Sequence, residues 1–246
     1  IGLPDVGLAS MAEMVGNLGY IAGAVDIPVI ADADTGYGNA INAQRTVREY
    51  AAAGAAAMHL EDQVFPKRCG FFEGKRCVPM AEHVQKIRAA LDARADPDLV
   101  IIARTDAVAP NGWDDAILRA EAYRDAGADL VFVDGIKTLD DLDIYTSRLV
   151  EQGVPCLYNG QILPVPEVAE RGFKVMITGG GHALSYAAVR QALLDLRRGG
   201  GVGESRDGSM PSLDLSGGAA GERLGERPGD ARTWLGVGVG VGVGLG

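Results

Sequence analysis

Short apolar runs alternate along the chain with stretches whose apolar residues recur every three or four positions. Six runs stand out, at 28–31, 57–60, 99–103, 130–133, 155–158 and 173–177. Runs this short and this uniformly apolar predict strands buried on both faces. Between them, helical periodicity covers a stretch ending near Val25 and the segments 41–53, 80–95, 114–126, 139–152 and 183–198. Ser10 and Glu13 have capping-box spacing ahead of the first helix, and Gly54, Gly127 and Gly153 close three of the others.

Strand alternating with helix predicts a parallel sheet with crossover helices, either a (β/α)8 barrel or an open doubly wound sheet. The polar residues decide between them. Asp32 and Asp34 follow the first run, Glu61 and Asp62 the second, Arg104 and Asp106 the third, Asp134 the fourth, Asn159 the fifth and Thr178 the sixth. A barrel gathers all its strand exits around one mouth, whereas an open sheet uses only a few at a switch point. Six polar exits therefore favour an α/β TIM-type barrel over residues 1–198. An eight-strand barrel would need one or two further βα units, expected before Ile1. Residues 199–246 hold 16 of the 35 glycines and end in a Gly-Val repeat, which reads as a disordered tail.

A formal charge of −10 disfavours nucleic acid and anionic membranes as partners, leaving small metabolites. No apolar run approaches the roughly 20 residues of a membrane helix. Three cysteines with neither paired framework nor Cys-x-x-Cys spacing suit a reducing, cytoplasmic setting.

Candidate chemistry starts at Asp32-Ala33-Asp34. Two carboxylates two apart on an extended chain face the same way and repel unless a cation lies between them. The alternative is that one of them caps the next helix. Glu61 or Asp62 reaches toward the same place. The loop Lys67-Arg68-Cys69-Gly70 would lower the thiol pKa of Cys69 and attract carboxylates. Arg104 is costly to bury without an anion, either a substrate carboxylate or a neighbouring acid. Asp134 and Asn159 could meet substrate oxygens or cap helices. His59 reads as a packed core histidine, His83 as solvent-facing, and His182 as part of a βα turn. Nucleotide fingerprints and the Gly-x-Ser-x-Gly elbow are absent from the sequence.

Taken together, Asp32-Ala33-Asp34-Thr35-Gly36-Tyr37-Gly38, Glu61-Asp62-Gln63, Pro66-Lys67-Arg68-Cys69-Gly70 and Ala103-Arg104-Thr105-Asp106-Ala107 resemble the isocitrate lyase and phosphoenolpyruvate mutase superfamily, particularly its methylisocitrate-lyase-like branch. The resemblance covers residues 1–198. It implies a (β/α)8 barrel, Mg2+ or Mn2+, an enolate-forming reaction on a small carboxylate, and a homodimer or homotetramer that exchanges its last barrel helix. By position, Asp32, Asp34 and Glu61 resemble the metal-site carboxylates and Cys69 the acid/base. Lys67 would orient or activate the thiol, Gly70 would donate from its backbone, and Arg104, Asn159 and Asp134 would lie on the substrate side. The chain departs from the lyases at Phe71, where a histidine is usual, and at Asp134, where a glutamate is usual.

Three readings follow. The first is a Mg2+-dependent carbon–carbon lyase acting on a 2-hydroxy di- or tricarboxylate, for which Cys69 speaks. The second is a phosphonomutase, oxaloacetate decarboxylase or oxo-acid hydrolase on the same scaffold, for which Phe71 speaks. The third is a catalytically degenerate ligand-binding barrel.

Overall fold

The computed structural model describes residues 1–70, 72–179, 181–198 and 241–244. The expectations for Phe71 and for the tail apart from 241–244 lie outside the described residues. Two compact units are present, Ile1–Gly179 with Thr233–Gly246, and Gly180–Arg232.

The first unit opens with α1 (Met11–Ala24), begun by the expected capping box of Ser10 and Glu13. All six expected strands form: β1 (Val29–Asp32), β2 (Ala55–Glu61), β3 (Val100–Thr105), β4 (Leu130–Val133), β5 (Cys156–Asn159) and β6 (Val175–Thr178). They are parallel and pair in chain order. Sequential order has no switch point, and right-handed crossovers then place every helix on one face of a curling sheet. This is barrel winding and excludes the doubly wound alternative. The connecting helices are α2 (Ala40–Ala52), α3 (Met80–Ala93), a short α4 (Val108–Asn111), α5 (Trp113–Asp125), α6 (Leu139–Tyr145) and α7 (Val165–Glu170).

Three local details differ from the sequence expectation. α4 and α7 are too short to carry a period, and the 139–152 helix changes to a π-helical turn at Thr146–Val150. Part of the Gly-Val tail forms β7 (Val241–Gly244), antiparallel to β6. Backbone pairing along a sheet edge needs no side-chain pattern, so periodicity could not reveal it.

Period-two alternation divides each strand between two environments. Met58, Leu60, Ile101, Ala103, Val131, Val133 and Tyr158 pack outward with helix residues such as Val47, Ile87, Ile117 and Leu142. Each fully buried large aliphatic side chain contributes roughly 1.5–3 kcal/mol. Ala57, Ile102, Phe132, Leu157 and Val175 form a smaller cluster in the opposite phase, on the concave face. Asp32, Glu61, Arg104 and Asn159 continue that inward phase at the strand ends. In the second unit, α8 (Gly181–Arg197) exposes Tyr186, Val189, Leu193 and Leu196 at helical spacing. Among the described residues no helix is long and apolar enough to cross a membrane.

Candidate active site

Asp32 closes β1, and Asp34 follows in the left-handed region at φ 47°. Aspartate tolerates this because its short side chain bonds locally; the Asp34 N–H donates to Asp32 Oδ1 at 2.9 Å. Gly36, at φ 79°, completes the turn so tightly that a Cβ would stand 3.2 Å from Leu60 Cδ2. Neither acid caps α2. Asn39 does so, accepting the N–H groups of Ile41 and Asn42. Burial and the nearby Asp32 push the Asp34 carboxyl up to about 6, against the pull of Lys67. Burial also opposes charge on Asp32, but His59, Lys67 and Arg104 outweigh it and hold that carboxyl below its ordinary range.

The loop after β2 is tied to this turn. Lys67 is buried, with Nζ 2.6 Å from Asp5 Oδ1 and 2.8 Å from Asp34 Oδ1. Asp5 also accepts the Cys69 N–H through its carbonyl at 3.0 Å. Gln63 exchanges two hydrogen bonds with the backbone of Arg68, at 2.9 and 3.0 Å. Cys69 is half-buried, and the chain's three cysteines form no disulfide. Gly70 brings the loop onto the neighbouring strand exits. A Cβ there would lie 2.6 Å from Asp134 Oδ2 and 3.2 Å from Arg104 Nη2.

Arg104 stacks over Phe132, with Cζ 5.0 Å from the ring centroid. Its Nε and Nη2 donate to Asp106 at 2.8 and 3.0 Å, a two-pronged pair. Glu61 and Asp134 each stand 3.4 Å from the guanidinium. Lys75 bridges Asp106 and Asp134 at 2.9 and 3.0 Å. Burial opposes the charge of Asp106, but Arg104 and Lys75 hold its carboxyl well below the usual range. The ion-pair alternative for Arg104 is thus realised, while its Nη1 takes part in none of these bonds. Glu61 is fully buried, and neither of its oxygens accepts a hydrogen bond. Burial drives its carboxyl well above the ordinary range despite the attraction of Arg104.

Other residues fall differently from expectation. Asp62 faces the helices rather than the mouth, since strand alternation turns it opposite to Glu61. His83 is wholly buried against Tyr123, with ring centroids 4.7 Å apart, not solvent-facing. It lies on the sheet side of α3, a face the polar neighbours Glu82 and Lys86 disguise. His59 is buried as expected, edge-on to Phe132, but its Nδ1 faces Asp32 Oδ1 at 3.5 Å. Asn159 closes β5 in the inward phase, yet no ion pair or hydrogen bond joins its side chain to this cluster among the described residues. Asp5, Lys75 and Asp106 were missed as site residues. Asp106 had left a trace as the acid two residues after Arg104 at the third strand exit, and Asp5 as part of the opening Gly2-Leu3-Pro4-Asp5.

The donor set suits a hard divalent cation. Among the described residues, Asp5, Asp34, Glu61, Asp106 and Asp134 share the three cations Lys67, Lys75 and Arg104, Asp32 faces His59, and Glu61 has an unsatisfied buried carboxylate. Among the described residues no three His, Cys, Asp or Glu side chains converge as a ready-made ligand group. Lys67 stands against Asp34, one of the three carboxylates expected to hold the cation. Mg2+ commonly keeps several waters and takes only one or two carboxylates, which fits such an arrangement.

The sequence profile of the family described as phosphoenolpyruvate phosphomutase matches residues 1–197. The 2,3-dimethylmalate lyase of Eubacterium barkeri is 54% identical over 171 residues, covering 66% of this chain and 59% of that protein. The 2-methylisocitrate lyase of Shewanella oneidensis is 41% identical over 204 residues, covering 79% and 69%. Among solved structures, phosphonopyruvate hydrolase in complex with oxalate and Mg++ superposes with a TM-score of 0.72 at 36% identity, covering 86% of this chain and 75% of that one. The chain thus spans about three-fifths of the dimethylmalate lyase it matches. A family profile matching nearly all of residues 1–198, together with these identities and the shared strand winding, shows the family: the chain belongs to the isocitrate lyase and phosphoenolpyruvate mutase superfamily.

Proposed function

We propose that this chain carries the site of a Mg2+-dependent carbon–carbon lyase that cleaves a small 2-hydroxy di- or tricarboxylate of the dimethylmalate or methylisocitrate kind. The observation that carries the reading is the buried, unsatisfied Glu61 carboxylate beside Asp32 and Asp34, with the Lys67–Gly70 loop anchored over them. Asp32, Asp34 and Glu61 would hold the cation, directly or through water. When bound, Mg2+ supplies a Lewis acid that stabilises negative charge on enolate oxygen.

The protein's own groups do the rest. Arg104 presents its remaining N–H groups to a substrate carboxylate, and Gly70 offers a backbone donor at the loop tip. A carboxylate of the site takes the hydroxyl proton as the carbon–carbon bond breaks: the O–H pair closes the new carbonyl, and the carbon–carbon pair goes to the departing carbon. The Sγ–H of Cys69 gives that carbon a proton and becomes thiolate. Asn159 and Asp134 line the substrate side. The likeness to phosphonopyruvate hydrolase supports a second reading, hydrolysis of an oxo-acid, on the same residues.

The test is Mg2+-dependent turnover by the purified chain of 2,3-dimethylmalate, 2-methylisocitrate, isocitrate, oxaloacetate and phosphonopyruvate. Cleavage of a 2-hydroxy acid that falls at least ~100-fold in Cys69→Ser is expected. Turnover of phosphonopyruvate or oxaloacetate alone would favour the second reading, and no turnover with no Mg2+ binding a degenerate barrel. We further propose a cytoplasmic homo-oligomer in which the apolar stripe of α8 packs on a second copy. Light scattering should give a dimer or tetramer, and Leu193→Glu should reduce it toward monomer.

A further inference from the structure

We infer that Asp62, Arg119 and Tyr123, on the helix side of the sheet, are positioning residues for Arg104 and for the loop that carries Cys69. The inference rests on the lyase reading for its kinetic test. Asp62 is wholly buried and turned away from the mouth, yet it collects four donors. Its Oδ1 accepts the Asp106 N–H at 2.9 Å. Its Oδ2 accepts from Thr105 Oγ1 at 2.8 Å, Tyr123 OH at 2.7 Å and Arg119 Nη1 at 3.1 Å. Arg119 Nη1 also donates to the Val78 carbonyl at 2.9 Å, and the Val78 N–H donates to the Asp62 carbonyl at 2.8 Å. Asp62 and Arg119 together thus tie the turn after β3, the far end of the loop that follows β2, and α5.

The link to the mouth runs through Asp106. Its backbone is held by Asp62 from outside the sheet, while its side chain holds Arg104 and Lys75 inside. Lys75 belongs to the loop and reaches on to Asp134. Rotation of the Asp106 backbone would therefore turn the guanidinium and loosen the loop together. A fully buried ionic network is weak evidence of stability, because apolar residues of equal volume often serve as well. What this one supplies is a fixed direction for Arg104, whose two-pronged contact tolerates little misplacement.

The test compares Asp62→Asn, Arg119→Gln and Tyr123→Phe with the parent chain. The Nε–Hε resonance of Arg104 in 15N-labelled protein, identified by its loss in Arg104→Lys, is expected to shift or broaden in each variant, most in Asp62→Asn. In kinetics, Asp62→Asn should lower kcat/KM by about 10- to 100-fold in the parent but under about 3-fold in Arg104→Lys, since interactions in one network are not additive. Equal factors in both backgrounds would mean a merely structural role and overturn the inference, as would an unmoved Arg104 resonance in folded Asp62→Asn. Should that variant fail to fold, Tyr123→Phe, which loses the hydroxyl's bonds to Asp62 and from Arg119 but no charge, decides by the same resonance. Should the parent turn over none of the substrates, the lyase reading falls, and the resonance alone decides.

Discussion

Lys67 Nζ lies 2.8 Å from Asp34 Oδ1, so the loop bearing Cys69 is moored to the acidic turn after β1. A cation on the loop and an anion on the strand exit bring together two segments separated by a whole α2–β2 unit.

Breaking that mooring should be costly. Lys67→Met leaves Asp34 buried beside Asp32 without its cation, and removal of one partner of a buried pair costs about 3–5 kcal/mol. Urea unfolding should show a loss of that order, with activity abolished. A loss below ~1 kcal/mol would mean that the pair is not formed in solution.

Glu61→Gln should act in opposite directions on stability and on metal affinity. A neutral amide relieves a buried carboxylate that no donor satisfies, so in chelator the variant should be about 1–3 kcal/mol more stable than the parent. Its Mg2+ affinity, by calorimetry, should fall at least ~10-fold, because a hard cation prefers a charged oxygen. Equal affinity would remove Glu61 from the cation site.

Gly70→Ala places a methyl 2.6 Å from Asp134 Oδ2. The loop must lift or Asp134 must leave Lys75, so turnover should drop by about 10-fold or more. The unfolding midpoint should move little, since the loop can relax without opening the core. Unchanged turnover would show that the loop tip does not work against β3 and β4.

His83 makes a pH prediction away from the mouth. Burial lowers its pKa from 6.5 to about 4. Below pH 6.5 the unfolded chain therefore takes up a proton that the folded chain refuses. The His83 contribution is fully present above pH 6.5 and is lost as pH falls toward 4, by about 3 kcal/mol. His83→Phe lacks this titration, so its stability relative to the parent should rise between pH 7 and pH 4. A constant difference across that range would contradict neutral burial of the imidazole.

Most strand and helix positions were legible because hydrophobic period reports burial directly: short apolar runs for β1 to β6, three- and four-residue recurrence for the longer helices. The acids after β1, the loop cysteine and Arg104 were legible because charged residues at the end of an apolar run need a reason to be there. His83 was not, because its flanking polar residues mask the face it occupies. Neither were Asp5 and Lys75, whose partners lie 62 and 31 or more residues away, as Lys67 is from Asp5 and Asp106 from Lys75.

The amino-acid order by itself determined the alternation of strand and helix, the phase of each strand and hence which residues reach the concave face. That follows from local backbone geometry and the exclusion of apolar side chains from water. Only the tertiary structure decided the partners: that Arg104 is held by Asp106, that Lys67 lies on Asp34, that Asp62 turns outward to Arg119, and that Glu61 is left without a donor. Charge pairing depends on distances across the sheet and on desolvation, and both exist only once the strands have wound side by side.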